Sequence, residues 1–136
     1  MKLLPVIILL LFSAITYAAN TSAFTCNPAG NQAELNQCAL EDYQAADNQL
    51  NKTWKKLMAK FTADKTATSK FKAAQKAWIV FRDAEIEAMF ACDNKEMNCW
   101  GSMEPLLRYG ELTALTQART QRLQKYIDQG LGVSME

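Results

Sequence analysis

QKAWIVFRDAE, residues 75–85, decides how this chain is read. The stretch contains no Gly or Pro and has a helical look, but a helical period puts Gln75 and Arg82 on the side of Trp78, where a core-facing stripe should be apolar. A buried charge without a partner is costly, so Arg82 at that position demands counter-groups from neighbouring elements. Phe71, Gln75, Trp78 and Arg82 are spaced by four, three and four residues. The same rhythm recurs upstream at Tyr43, Asp47, Leu50 and Trp54, and downstream at Leu112, Leu115, Arg119, Leu123 and Tyr126. Each segment thus carries a polar group inside an apolar face. Asp47 is expected to pair with Arg82, Arg119 or both, with Gln75 and Asn51 filling the remaining donors and acceptors, because a guanidinium fork can hold a carboxylate at two points. Such a network would fix which helix faces which while contributing little net stability. The functional alternative is a ligand-binding or catalytic carboxylate beside two guanidinium groups.

The segment from Asn31 to Phe61 also lacks Pro and Gly, and Asn31 with Glu34 makes a cap with a carboxylate in the first turn. Its apolar positions, from Leu35 through Ala39, Ala46 and Leu57 to Phe61, predict one helix of roughly 45 Å. A bend near Cys38 would instead leave a short extra helix at the N-terminus. After the polar stretch TADKTATSK, a second helix is expected to start near Thr66 to Ser69 and run to about Ala91, with Phe71, Trp78, Phe81, Ile86 and Met89 as its larger apolar groups. Ser102 reads as the N-cap of a third helix with Pro105 in its first turn and Gly130 at its stop. Strand alternation and internal repeats are absent. Short connections favour antiparallel neighbours, so the expected fold is all-α, an up-down-up three-helix bundle.

Residues 1–18, MKLLPVIILLLFSAITYA, have one basic residue, an apolar run and small residues before the end, the pattern of a secretory signal peptide cut after Ala18, with Ala19 the next choice. The run from Leu3 to Ile15 is too short for a comfortable membrane span, which needs about 20 residues. About 118 residues then remain, 19–136, enough for one domain with a single core and no membrane span. Removing Lys2 takes the 15 basic side chains to 14, against 14 acidic ones, so no overall field draws the chain to nucleic acid or a membrane. The four cysteines all follow the cut, and an even count in an exported chain favours disulfides. Sequence alone permits all three connectivities. The chain has no histidine, which excludes His-based triads and the usual zinc sites, and it has no glycine-rich phosphate loop. Asp83, Glu85 and Glu87 read as solvated helix charges rather than an acid–base pair. No catalytic residue, metal ligand or cofactor site is expected.

The blocks AADNQLNKTW (45–54), AQKAWIVFRDAE (74–85) and LTALTQARTQRL (112–123) together resemble the domain named after the lysozyme inhibitor LprI. The pattern positions Asp47, Leu50, Asn51, Gln75, Trp78, Arg82, Asp83, Thr116, Arg119 and Leu123 are matched, and the blocks span nearly all of the chain after the leader. The resemblance implies a small, helical, exported protein, in some members an inhibitor of lysozyme. Members often carry one cysteine where this sequence has Ile86 and another near Glu111. Against that pattern, Cys92 and Cys99 are expected to supply a replacement bridge between helices two and three. Cys26 and Cys38 are then left to tie the N-terminal segment onto helix one.

In the expected bundle the end holding the 92–101 loop collects Glu34, Glu41, Asp42, Glu85, Glu87, Asp93, Glu96 and Glu104, opposed locally by Lys95. The other end collects lysines, among them Lys55, Lys60, Lys65, Lys70 and Lys125. Lysozymes are commonly cationic with an acidic catalytic cleft, so an acidic end would steer encounter and a projecting group would occupy the cleft. Asp93 and Glu96 are the candidate steering charges, Lys95 and Met97 the candidate projecting groups, and Trp100 either an anchor at their base or a side chain packed beneath the loop. The resulting expectation is a periplasmic or secreted, non-catalytic protein that docks over the cleft of a lysozyme-type muramidase. The alternative is an envelope interaction module, such as an immunity protein or a chaperone, with another target.

Overall fold

The computed structural model describes residues 26–93 and 99–132. Among them are three α-helices and no strand: α1, Gln32–Lys60; α2, Lys65–Met89; and α3, Glu104–Gln129, entered through a 3-10 turn at Gly101–Met103. The expected leader, residues 1–18, lies outside the described residues.

Each helix starts for a local reason. At α1 the Asn31 side chain accepts from the backbone N–H groups of Ala33 and Glu34, while Glu34 Oε2 accepts from the Asn31 N–H at 2.8 Å, closing a capping box. The helix then runs unbroken past Cys38, so among the described residues no separate helix precedes it. α2 begins earlier than its apolar pattern suggests, because Asp64 Oδ1 accepts from the Ala67 N–H at 2.8 Å and makes Lys65 the first helical residue. Ser102 is not the cap of α3. The 3-10 turn winds directly into the helix, leaving Met103 at the junction with helical dihedrals and no side-chain cap bond, and Pro105 sits in the first turn. At the far end Gly130, with φ of 84°, closes α3 in a conformation that side chains rarely adopt.

The core is centred on Leu50, Leu57 and Leu123, with Trp54, Phe61, Phe71, Trp78 and Tyr126 packed around them. Contacts between α1 and α3 rise together along both helices. Asn36 Nδ2 donates to the Ser102 carbonyl at 3.0 Å, the Tyr43 ring stacks on Tyr109 at 6.0 Å, and the Lys60 ammonium donates to the Ile127 carbonyl. Contacts between α2 and α3 run in opposite order, Phe71 against Tyr126, Gln75 against Arg119 and Glu87 against Arg108. The α1–α3 seam is by far the more extensive; α2 leans on α3 along a thin line.

That unequal packing corrects the expected interior of α2. Of its larger apolar groups only Ile86 is buried, whereas Phe81 and Met89 are 55% and 45% exposed. The run Trp78-Ile79-Val80-Phe81 covers a whole helical turn with apolar groups, so period alone leaves its core side undecided. Disulfides join Cys26 to Cys38, against the start of α1, and Cys92 to Cys99, across the α2–α3 connection.

Candidate functional site

The polar residues of the interior meet only in part. Arg119 Nε donates to Gln75 Oε1 at 3.0 Å, from α3 to α2. Arg82 bonds its own neighbour, Asp83, through Nε and Nη2 at 2.8 and 2.7 Å. Both guanidinium groups lie over the Trp78 ring, at 5.3 Å for Arg82 and 5.7 Å for Arg119, within cation–π reach. Burial pushes the Arg119 guanidinium down from its ordinary value; Tyr126 opposes that shift and Arg122 adds to it.

Asp47 does not join them. Its Oδ2 accepts from Asn51 Nδ2 at 2.9 Å on the same helix, where Asn51 is exposed, and among the described residues Asp47 makes no ion pair. The expected Asp47–arginine pairing is therefore corrected: α2 leans on α3 rather than α1, so an aromatic face and an amide replace the carboxylate as counter-groups. The measurable consequence is small. Asp47→Ala is expected to change unfolding free energy by no more than about 0.5 kcal/mol. Chemical denaturation giving a loss of about 3 kcal/mol or more would mean that a buried pair had been broken.

The disulfide-closed end has more of the character of a contact surface. Beyond α2, Phe90 is buried, and the Trp100 ring meets it edge-on at 5.4 Å and 61°. The Arg108 guanidinium lies 4.9 Å from the Phe90 ring centre on another approach. Arg108 also donates to Glu104 at 3.0 and 2.8 Å and to Glu87 at 2.7 Å, so one side chain ties α2, α3 and the aromatic pair together. Burial lowers its affinity for the proton, but the hydrogen bonds and charges of Glu104 and Glu87 outweigh that and hold it above its ordinary value. The Asn36–Ser102 bond braces the same end from α1.

On this braced base Trp100 is 42% exposed, Met103 49% and Met89 45%. Trp100 is thus both packed on its inner edge and open on its outer one. Asp93, next to Cys92 in the chain, is exposed; Lys95, Glu96 and Met97 lie outside the described residues. The acidic end is less available than its composition suggests. Glu34 is held in the α1 capping box, Glu41 accepts from Gln37, and Glu87 and Glu104 are engaged by Arg108. Sequence reasoning missed Arg108, although the Glu104–Arg108 spacing of four residues on a helix is a readable pairing signal.

A second concavity, about 570 Å³, lies between α1 and α3 and is lined by residues such as Asp42, Gln49, Thr113, Gln117 and Gln121. It gathers amides and hydroxyls around one carboxylate. Among the described residues no group of three or more His, Cys, Asp or Glu is placed to hold a metal ion. No helix among them is long and apolar enough to cross a membrane.

The family model described as "Lysozyme inhibitor LprI" matches residues 25–123, which include all three helices but for the last turns of α3. The chain belongs to the LprI family. It is also similar to an uncharacterized protein of Rhizobium meliloti (strain 1021), 37% identical over 136 aligned residues that cover 91% of this chain and 94% of the relative. No solved structure matches the chain. Within the LprI match, the blocks 45–54, 74–85 and 112–123 supply Leu50 and Leu123 of the core and the Trp78 cluster. The disulfide-closed end also lies within the matched span, so the family covers both the scaffold and the surface it carries.

Proposed function

We propose that this LprI-family chain is an exported, non-catalytic inhibitor of a lysozyme-type muramidase, and that it docks its disulfide-closed end over the catalytic cleft. The leader, residues 1–18, would be removed on export, leaving one domain, 19–136, in the periplasm or outside the cell. The order of the helix contacts supports an up-down-up arrangement, which would put the Cys92–Cys99 disulfide at one end of the molecule beside the starts of α1 and α3.

The observation that carries this reading is the exposed trio Trp100, Met103 and Met89 on a base braced by a disulfide, the Phe90–Trp100 contact and the Arg108 clamp. Rigid aromatic and thioether groups give contact area at low entropic cost, and a braced surface loses little freedom on docking. With Glu34, Glu41 and Glu104 engaged internally, apolar anchoring contributes more than charge, and Asp93 remains as an exposed steering group.

The test is inhibition itself. Titrating the purified, processed protein into a cell-wall lysis assay is expected to abolish the activity of at least one lysozyme class with saturable, stoichiometric binding. Undiminished lysis by every class would discard the inhibitor reading and favour an envelope interaction module with another target.

A further inference from the structure

We propose that the outer face of α2 is a two-fold interface with a second copy of this chain. α2 is apolar on two sides, and only one of them meets the rest of the molecule. On the other, Phe81 is 55% exposed and Val80 65%, in the middle of the helix.

The spacing along this face reads the same from either end. Ala73, Ala77, Val80, Phe81, Ala84 and Ala88 are all exposed and follow one another by four, three, one, three and four residues, which keeps them on one side of the helix. A two-fold axis between Val80 and Phe81 would set Ala73 against Ala88 of the second copy and Ala77 against Ala84 of the second copy. Alanines on both sides of the axis permit close approach of the two helices, and Val80 with Phe81 fills the centre.

Charge selects the second copy and its direction. One shoulder of the face carries Lys72 and Lys76 before the centre and Asp83 and Glu87 after it, all exposed. In an antiparallel pair a shoulder meets its own reversed copy, so the basic half of each helix faces the acidic half of the other. In a parallel pair this shoulder would meet the opposite one, around Ala74 and Trp78, and the match of basic half to acidic half would be lost. Asp83 and Glu87 bond Arg82 and Arg108 through Oδ1 and Oε1, which leaves the second carboxylate oxygen of each for a lysine across the axis.

A contact of this size is at the small end for a specific interface, below about 1,200 Å², so the dimer is expected to be reversible and concentration-dependent. Sedimentation equilibrium of the processed protein alone, with no lysozyme present, is the experiment. A monomer–dimer equilibrium is expected. Val80→Glu should raise its dissociation constant by at least about tenfold, by burying unpaired charge at the axis, and leave helical content by circular dichroism unchanged. Lys76→Glu should weaken it more at low salt than at high salt. Monomer alone at all concentrations up to about 1 mM would overturn the proposal. So would a dimer indifferent to both substitutions.

Discussion

Leu123→Ala is expected to lower the unfolding free energy by about 3 kcal/mol, a large part of the stability of a domain this small. The expectation follows from where Leu123 stands. It is fully buried on α3, in one cluster with Leu50 and Leu57 of α1, and ringed by Trp54, Phe71, Trp78 and Tyr126. Truncation removes the transfer free energy of the deleted atoms and leaves a cavity that long helices, tied to each other along their length, cannot close. Denaturant unfolding should show a lower midpoint with an unchanged slope. Val80→Ala is the control, because Val80 is 65% exposed and touches little of its own molecule. It should cost less than about 0.5 kcal/mol. Equal losses at the two sites would mean that α2 is packed as deeply as α3 and would remove the unequal seam on which the fold's description rests.

The second large effect concerns binding. Trp100→Ala is expected to weaken lysozyme inhibition by roughly 30-fold, about 2 kcal/mol, the range of an aromatic anchor at the centre of an interface. Trp100 is half open to solvent, and its inner edge is fixed by Phe90, so it can offer a flat, pre-positioned face to a cleft. The same substitution should leave α1, α3 and the core intact, since Trp100 lies outside the cluster around Leu123. Inhibition constants measured for the wild type and the variant, with unfolding curves on the same samples, separate the two roles. A variant that loses stability but inhibits as well as the wild type would make Trp100 a packing residue beneath the turn.

Legibility in the sequence varied by element, for physical reasons. The start of α1 was readable because a capping box is a local device: Asn31 and Glu34 satisfy each other's backbone within a single turn. The apolar stripe of α1 was readable because its one wet side leaves a clear period, and Gly130 because a positive φ needs glycine. Ser102 misled because it has the chemistry of a cap, but the chain arrives already wound in a 3-10 turn and leaves it no cap to make. The interior of α2 misled for a different reason. Its two apolar faces overlap at Trp78 to Phe81, and which of them meets α3 is decided by tertiary packing rather than by period.

The polar cluster shows the same division. Gln75, Trp78, Arg82 and Arg119 do gather at the α2–α3 contact, as their shared register implied, but the aromatic ring, not a carboxylate, receives the two guanidinium groups. Asp47 has the register and lacks the neighbour. Arg108 was the reverse: three partners, Glu104, Glu87 and the Phe90 ring, converge on it only once α2 and α3 are side by side. The exposed end around Trp100 depends on that clamp, and the sequence showed its cysteines without its shape.

Amide hydrogen exchange of the protein, alone and bound to a lysozyme it inhibits, tests the proposed docking most directly. Binding should slow exchange in residues 89–93 and 99–103 and leave the α1–α3 groove around Gln49 and Gln117 unchanged. Protection confined to that groove, with the disulfide-closed end exchanging as fast as in the unbound protein, would contradict it.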